Sequence, residues 1–136
     1  SDLFGMCFDQ PNPDKIVSTF MKLEIPDLNY NNFNEYLKSS VVLVDFWAEW
    51  CHPCKSQHKM LEEMAFEYDN LFKTAKVNVD ENKVISTKLG VSNIPTLILF
   101  RDGVELRRII GLQSKDILTS QIKNALSSNK INENVE

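Results

Sequence analysis

Two cysteines separated by two residues, in Cys51-His52-Pro53-Cys54, are the part of this 136-residue chain best suited to covalent chemistry. Thiolates attack sulfur, so such a pair suits the making and breaking of disulfides, and it equally supplies half of a four-ligand metal site. Just upstream, the apolar run Val41-Val42-Leu43-Val44 reads as a buried strand, then carries a carboxylate at Asp45 and indoles at Trp47 and Trp50. An ionised carboxylate in such a strand is costly unless paired, so the pKa of Asp45 is expected to rise, which suits proton transfer. A solvent-facing strand position is the plainer reading of an isolated Asp.

Cys51 stands where the strand ends and a helix begins. Unpaired helical amides and the positive end of the helix dipole favour its anion there, making it the expected nucleophile at an exposed position. Pro53 suits the first helical turn, where its missing N–H has no partner to lose. Cys54, one turn along, is within reach of Cys51 and is the expected resolving thiol. The imidazole of His52 can hydrogen-bond to the neighbouring thiolate or, when protonated, pair with it, stabilising the reduced form and making the disulfide more oxidising. For metal binding only Cys7, His52 and His58 remain as further candidates, which is no second pair, so no metal is expected.

The elements that must position these residues follow from periodicity. β-branched residues between Lys15 and Leu28 suggest a first strand limited by Pro26. Asn29 or Asn31 can cap a short helix carrying Phe33, Tyr36 and Leu37 on one face, closed by Ser39 and Ser40. After the cysteines, Met60, Leu61, Met64, Ala65 and Tyr68 mark an amphipathic helix over 55–69, with Glu62, Glu63 and Glu67 on its wet side. Val77 and Val79 alternate with polar residues as a strand would, and Val84, Ile85 and Leu89 precede a Gly90 stop. Leu97 to Phe100, the Asp102-Gly103 turn and Val104 to Ile110 read as a hairpin, after which Ser114 caps a last helix through Leu126. This order predicts an α/β domain, a mixed sheet with helices on both faces.

Composition sets limits. The chain is one domain's worth of protein, and 43% hydrophobic with 25% charged residues is the balance of a globular protein. No apolar run approaches the roughly 18 residues of a membrane span. A formal charge of -4, without concentrated Lys and Arg, disfavours nucleic acid. Residues 1–20 read as an N-terminal extension, in which Leu3, Phe4, Met6 and Phe8 precede two prolines and Cys7 is a lone thiol; 21–127 read as the domain and 128–136 as a frayed polar tail. The start at Ser1 reads as a processed or truncated form. The cytoplasm is the default compartment, and a secretory compartment or organelle is the alternative if a targeting segment preceded Ser1.

The stretches VDFWAEWC and PCK at 44–55, AKVNVDEN at 75–82, GVSNIPTLILFRDG at 90–103, and Gly111 together resemble the thioredoxin family over about residues 21–126. The resemblance implies the thioredoxin fold, a mixed sheet of about five strands flanked by about four helices. It implies that Asp45 lies beneath the resolving cysteine as its base, that Lys76 partners Asp45, and that Ile94-Pro95 is a cis-proline loop facing the cysteines. Trp50, Pro53, Ile94, Pro95, Ile110 and Gly111 would form an apolar patch for substrate proteins. No bound cofactor is implied; electrons would come from an NADPH-dependent flavin reductase.

The chain departs from the family at His52, usually glycine, at Lys59, often a kinking proline, and at Asn93, a small glycine. The leading expectation is a protein-disulfide reductase. One alternative is a more oxidising isomerase or oxidase of a secretory compartment, favoured by His52. Another is a thioredoxin-fold subunit of a larger complex reached through the N-terminal extension.

Overall fold

The structure, a computed structural model, describes residues 23–38 and 40–135, with side chains through residue 127. The expected N-terminal extension and its Cys7 lie outside the described residues. The elements are α1 (Phe33–Leu37), β1 (Val41–Trp47), α2 (His52–Glu67), β2 (Lys73–Asn78), α3 (Lys83–Lys88), β3 (Thr96–Arg101), β4 (Val104–Ile110) and α4 (Lys115–Val135). The strands form one sheet in the order β2-β1-β3-β4. β1 is parallel to β2 and antiparallel to β3, and β3 is antiparallel to β4. β1, apolar on both sides, therefore occupies the interior of the sheet.

Residues alternate across β1, and each side has its own core. Val41 and Leu43 pack with Leu61, Met64 and Ala65 of α2 and Leu118, Ile122 and Ala125 of α4. Val42, Val44 and Phe46 pack on the other side with Phe33 and Leu37 of α1 and Ile85 of α3. Helices thus cover both faces, as the element order predicts. Among the described residues the sheet has four strands rather than about five. The expected first strand falls largely on residues outside those described; its end runs beside β2 as a single bridge, Asp27 to Lys76. There the Leu28 N–H donates to the Lys76 carbonyl at 2.8 Å and the Lys76 N–H donates to the Pro26 carbonyl at 2.9 Å.

Local chemistry sets the ends of the elements. Asn29 accepts the N–H groups of Asn31 and Asn32 on Oδ1, and Asn32 accepts that of Asn29, so the two asparagines organise the turn entering α1. β2 starts at Lys73, and it ends earlier than the Val77–Val79 alternation suggests because Asn78 Oδ1 receives the N–H groups of Asp80 and Glu81 and turns the chain. The β3–β4 turn has φ of 51° at Asp102 and 83° at Gly103, the left-handed pair that a two-residue hairpin requires. Ser114 caps α4 by accepting the Ile117 N–H on Oγ. The polar end expected to fray continues α4 to Val135, since no Gly or Pro interrupts 115–135.

Phe46 is fully buried in the α1–α3 side of the core, away from the cysteines. Phe46→Ala should cost about 3–5 kcal/mol in denaturant unfolding. A loss below about 1 kcal/mol would mean that this core collapses around the cavity, contrary to the close packing described.

Candidate active site

Cys51 is the N-cap of α2, in extended conformation, and its sulfur accepts the Cys54 N–H at 3.3 Å. The two cysteines are joined by a disulfide, with Cα atoms 5.3 Å apart. Pro53 sits in the first helical turn, as expected, and α2 continues without interruption past Lys59. Both cysteines are buried, Cys51 at 4% and Cys54 at 1% exposure, which corrects the expectation of an exposed nucleophile. In the disulfide form the cysteines pack with Ala48 and are flanked by Trp47, Val79 and Ile94. What reaches the surface is their surroundings: His52 and Pro53 are exposed, and Trp50 is 70% exposed.

The loop between β1 and α2 is held from a distance. The Trp50 Nε1–H donates to Asp80 Oδ2 at 2.8 Å, and the Val79 N–H donates to the Trp47 carbonyl at 2.8 Å. Asp80 is a site residue that sequence reasoning missed, since an Asp after a strand reads as an ordinary turn. From the opposite side comes the Ile94-Pro95 peptide, which is cis. The Pro95 carbonyl accepts the Gly111 N–H at 2.8 Å, and the Thr96 hydroxyl donates to the Asn93 carbonyl at 2.5 Å. Gly111, with φ of 92°, ends β4 where the left-handed region favours glycine. Ile110 beside it is 54% exposed. Trp50, Pro53 and Ile94 thus give the disulfide a partly exposed apolar surround.

Asp45 lies on the α2 side of β1, wholly buried, and its register partner on β2 is Lys76. Burial pushes its carboxyl up from the usual range to about 7, with the nearby Lys76 ammonium offsetting part of that rise. Neither carboxyl oxygen has a hydrogen-bond partner among the described residues. Lys76 also sets its ammonium 5.3 Å from the Trp47 ring centroid. An open depression of about 280 Å³ leads from solvent to this region, lined by Trp47, Glu49, Cys54, Lys55, His58, Lys59 and Lys76. His58 lies within 3.2 Å of Glu62. Among the described residues no three His, Cys, Asp or Glu side chains gather as a metal site would need.

The geometry is that of a disulfide pair at a helix start with a buried acid on the neighbouring strand. The thioredoxin family profile matches residues 24–124. The chain belongs to the thioredoxin family. It is 44% identical over 96 residues to a thioredoxin of Staphylococcus saprophyticus, covering 71% of this chain and 92% of that protein. A thioredoxin of Chlamydia pneumoniae is 44% identical over 95 residues, covering 70% of this chain and 92% of the relative. The solved structure of a point mutant of thioredoxin from Halobacterium salinarum NRC-1 superposes with a TM-score of 0.69 at 34% identity, covering 75% of this chain and 90% of that one. The fold is therefore the thioredoxin fold, and the protein is an enzyme, a thiol-disulfide oxidoreductase of the protein-disulfide reductase type with Cys51 and Cys54 as its redox pair.

The raised pKa of Asp45 has a consequence for stability. Folding raises the carboxyl from 3.8 to about 7, so its favourable contribution is complete below about pH 4 and lost as pH climbs through 7. Asp45→Asn should therefore be more stable than the parent above pH 8, by up to about 4 kcal/mol, with the difference shrinking toward pH 4. Chemical denaturation at both pH values checks this. A gap that does not change with pH would contradict the burial of an ionisable group there.

Proposed function

We propose that this thioredoxin-family protein reduces disulfides of substrate proteins, using Cys51 as nucleophile and Cys54 as resolving thiol. The reading is supported above all by the placement of the Cys51–Cys54 disulfide at the start of α2 with the buried Asp45 carboxyl facing the same helix. In the reduced protein the Cys51 thiolate attacks one sulfur of a substrate disulfide. A mixed disulfide forms and the first substrate sulfur leaves as a thiolate, which takes up a proton. Asp45 accepts the Cys54 proton, the Cys54 thiolate attacks the Cys51 sulfur, and the second substrate sulfur departs as a thiolate that takes up a proton, while Asp45 releases the one it accepted. The substrate gains two electrons and two protons, and the Cys51–Cys54 disulfide is restored.

Lys76, beside Asp45, favours the ionised carboxylate and so helps it serve as base. The substrate rests on the patch of Trp50, Pro53, Ile94, Pro95, Ile110 and Gly111. Electrons return from a flavin reductase that draws on NADPH. In an insulin-reduction assay, Cys51→Ser should abolish activity, and Cys54→Ser should accumulate a mixed disulfide visible by mass on the intact protein. A Cys51→Ser variant that keeps the parent rate would remove this reading.

His52 favours a second direction of flow. It is the first residue of α2 and exposed, next to the nucleophile. Imidazole contacts to a thiolate stabilise the reduced form, which raises the reduction potential toward that of an oxidase or isomerase. His52→Gly should lower the potential measured against a glutathione buffer by about 30 mV or more. No change on that substitution would leave His52 as a surface residue and the reductase reading without a competitor.

A further inference from the structure

The outer strand β4 carries a bulge that rearranges its charged side chains. Arg108 stands opposite Ile98 and Arg107 opposite Leu99, but the next residue of β3, Phe100, stands opposite Glu105, so Leu106 is an extra residue. A bulge of this kind turns two successive side chains toward one face. Leu106 and Arg107 both take the α4 side, where Leu106 packs on the core and Arg107 Nη1 donates to Gln121 Oε1 at 3.4 Å. Glu105 and Arg108 take the other side, that of Phe100, Ile98 and α3. In a regular strand residues three apart face opposite ways, and the bulge makes these two neighbours.

Arg108 Nε donates to Glu105 Oε2 at 2.9 Å and its Nη2 to Glu105 Oε1 at 2.8 Å, a two-point fork that fixes the plane of the guanidinium. The remaining nitrogen, Nη1, donates to the Gly90 carbonyl at 3.3 Å. Gly90, with φ of 67°, closes α3: its own N–H and that of Val91 return to the Thr87 and Ser86 carbonyls at 3.1 and 2.9 Å. From there residues 91–95 form the loop whose Ile94 flanks the cysteines and whose Pro95 carbonyl accepts the Gly111 N–H at 2.8 Å. β4 therefore holds this loop at both ends, through Arg108 and through Gly111. The second contact is backbone to backbone, whereas the first needs the side chains of Arg108 and Glu105.

We propose that Arg108 is a positioning residue for substrate binding: oriented by Glu105, it holds the Gly90 carbonyl and so sets where Ile94 and Pro95 stand against the cysteines. A guanidinium suits this task, because it engages a carboxylate with two N–H groups and still donates a third in the same plane, which neither an ammonium nor an amide can do. Paired with Glu105, Arg108 acts through the loop and not as a free charge offered to the substrate. A loop released at Gly90 samples more positions, and the cost of ordering it then falls on substrate association. The dithiol chemistry, set at the start of α2, is left as it was. The proposal rests on the use of Ile94 and Pro95 as substrate contacts put forward above.

The test measures kcat and KM for insulin reduction by the full chain carrying Arg108→Gln, Glu105→Gln or, as a control for the loss of an arginine from β4, Arg107→Gln. Arg108→Gln should raise KM about three- to tenfold and Glu105→Gln about two- to fivefold, with kcat and the Cys51–Cys54 reduction potential staying at the parent values. Arg107→Gln, which loses only a bond to α4, should leave KM unchanged. A KM for Arg108→Gln within about 1.5-fold of the parent, or a rise matched by Arg107→Gln, overturns the proposal. Ile94→Ala separates this failure from failure of the reading beneath it. If Ile94→Ala also leaves KM unchanged, the loop is no substrate contact and both fall, whereas a KM raised by Ile94→Ala and unmoved by Arg108→Gln defeats only the assignment to Arg108.

Discussion

The antiparallel packing of α2 across β1 is the contact on which the rest of the molecule depends. It is made by Leu43 against Leu61 and Met64 at one end, and by Trp47 and Ala48 around the cysteines at the other. Those apolar contacts fix the distance between helix and strand and keep the Asp45 carboxyl out of water. The electrostatics follow from the packing. Removed from water, Asp45 holds its proton near neutrality, while Lys76 on the adjacent strand limits how far that goes. A looser helix would admit solvent and return the acid to an ordinary carboxylate.

The same contact aims the start of α2 at the surface. Backbone amides in the first turn, among them the Cys54 N–H donated to the Cys51 sulfur, concentrate positive potential on one atom. Two remote bonds hold the opposing loops: Trp50 to Asp80 on one side, Gly111 to Pro95 on the other. The redox pair is packed against side chains from three separate stretches of chain: Trp47 and Ala48, Val79, and Ile94. Its oxidised form is covered, with Cys51 and Cys54 both buried.

How much of this was legible in the sequence depended on how local each signal is. The hairpin was readable because Asp-Gly is one of few pairs that accept two successive left-handed residues, and Cys51, Pro53 and Cys54 because strand, turn and helix meet within a dozen residues. Asp45 stood out as a charge inside an apolar run. Lys76, Pro95 and Gly111 came only through family resemblance, since a lysine on a strand or a proline after an isoleucine has no local meaning. The end of β2 was misjudged because a side chain, Asn78, sets it and not periodicity. Gln57 was passed over because a polar residue on a helix reads as wet, and only its spacing to Cys54 and Leu61 could have placed it inside.

The backbone bonds of Pro26 and Leu28 to Lys76 carry a consequence for how the protein lives among its own copies. A sheet whose outer strands are bare is a template for further strands, and a protein with an apolar surface around a reactive disulfide is exposed to that hazard. Here the β2 edge is occupied by the chain's own Pro26–Leu28 segment. The opposite edge, β4, carries Glu105, Arg107 and Arg108 and a register shift opposite Leu99 and Phe100, features that discourage a flat partner. Extended peptides consequently find few places to add to this sheet.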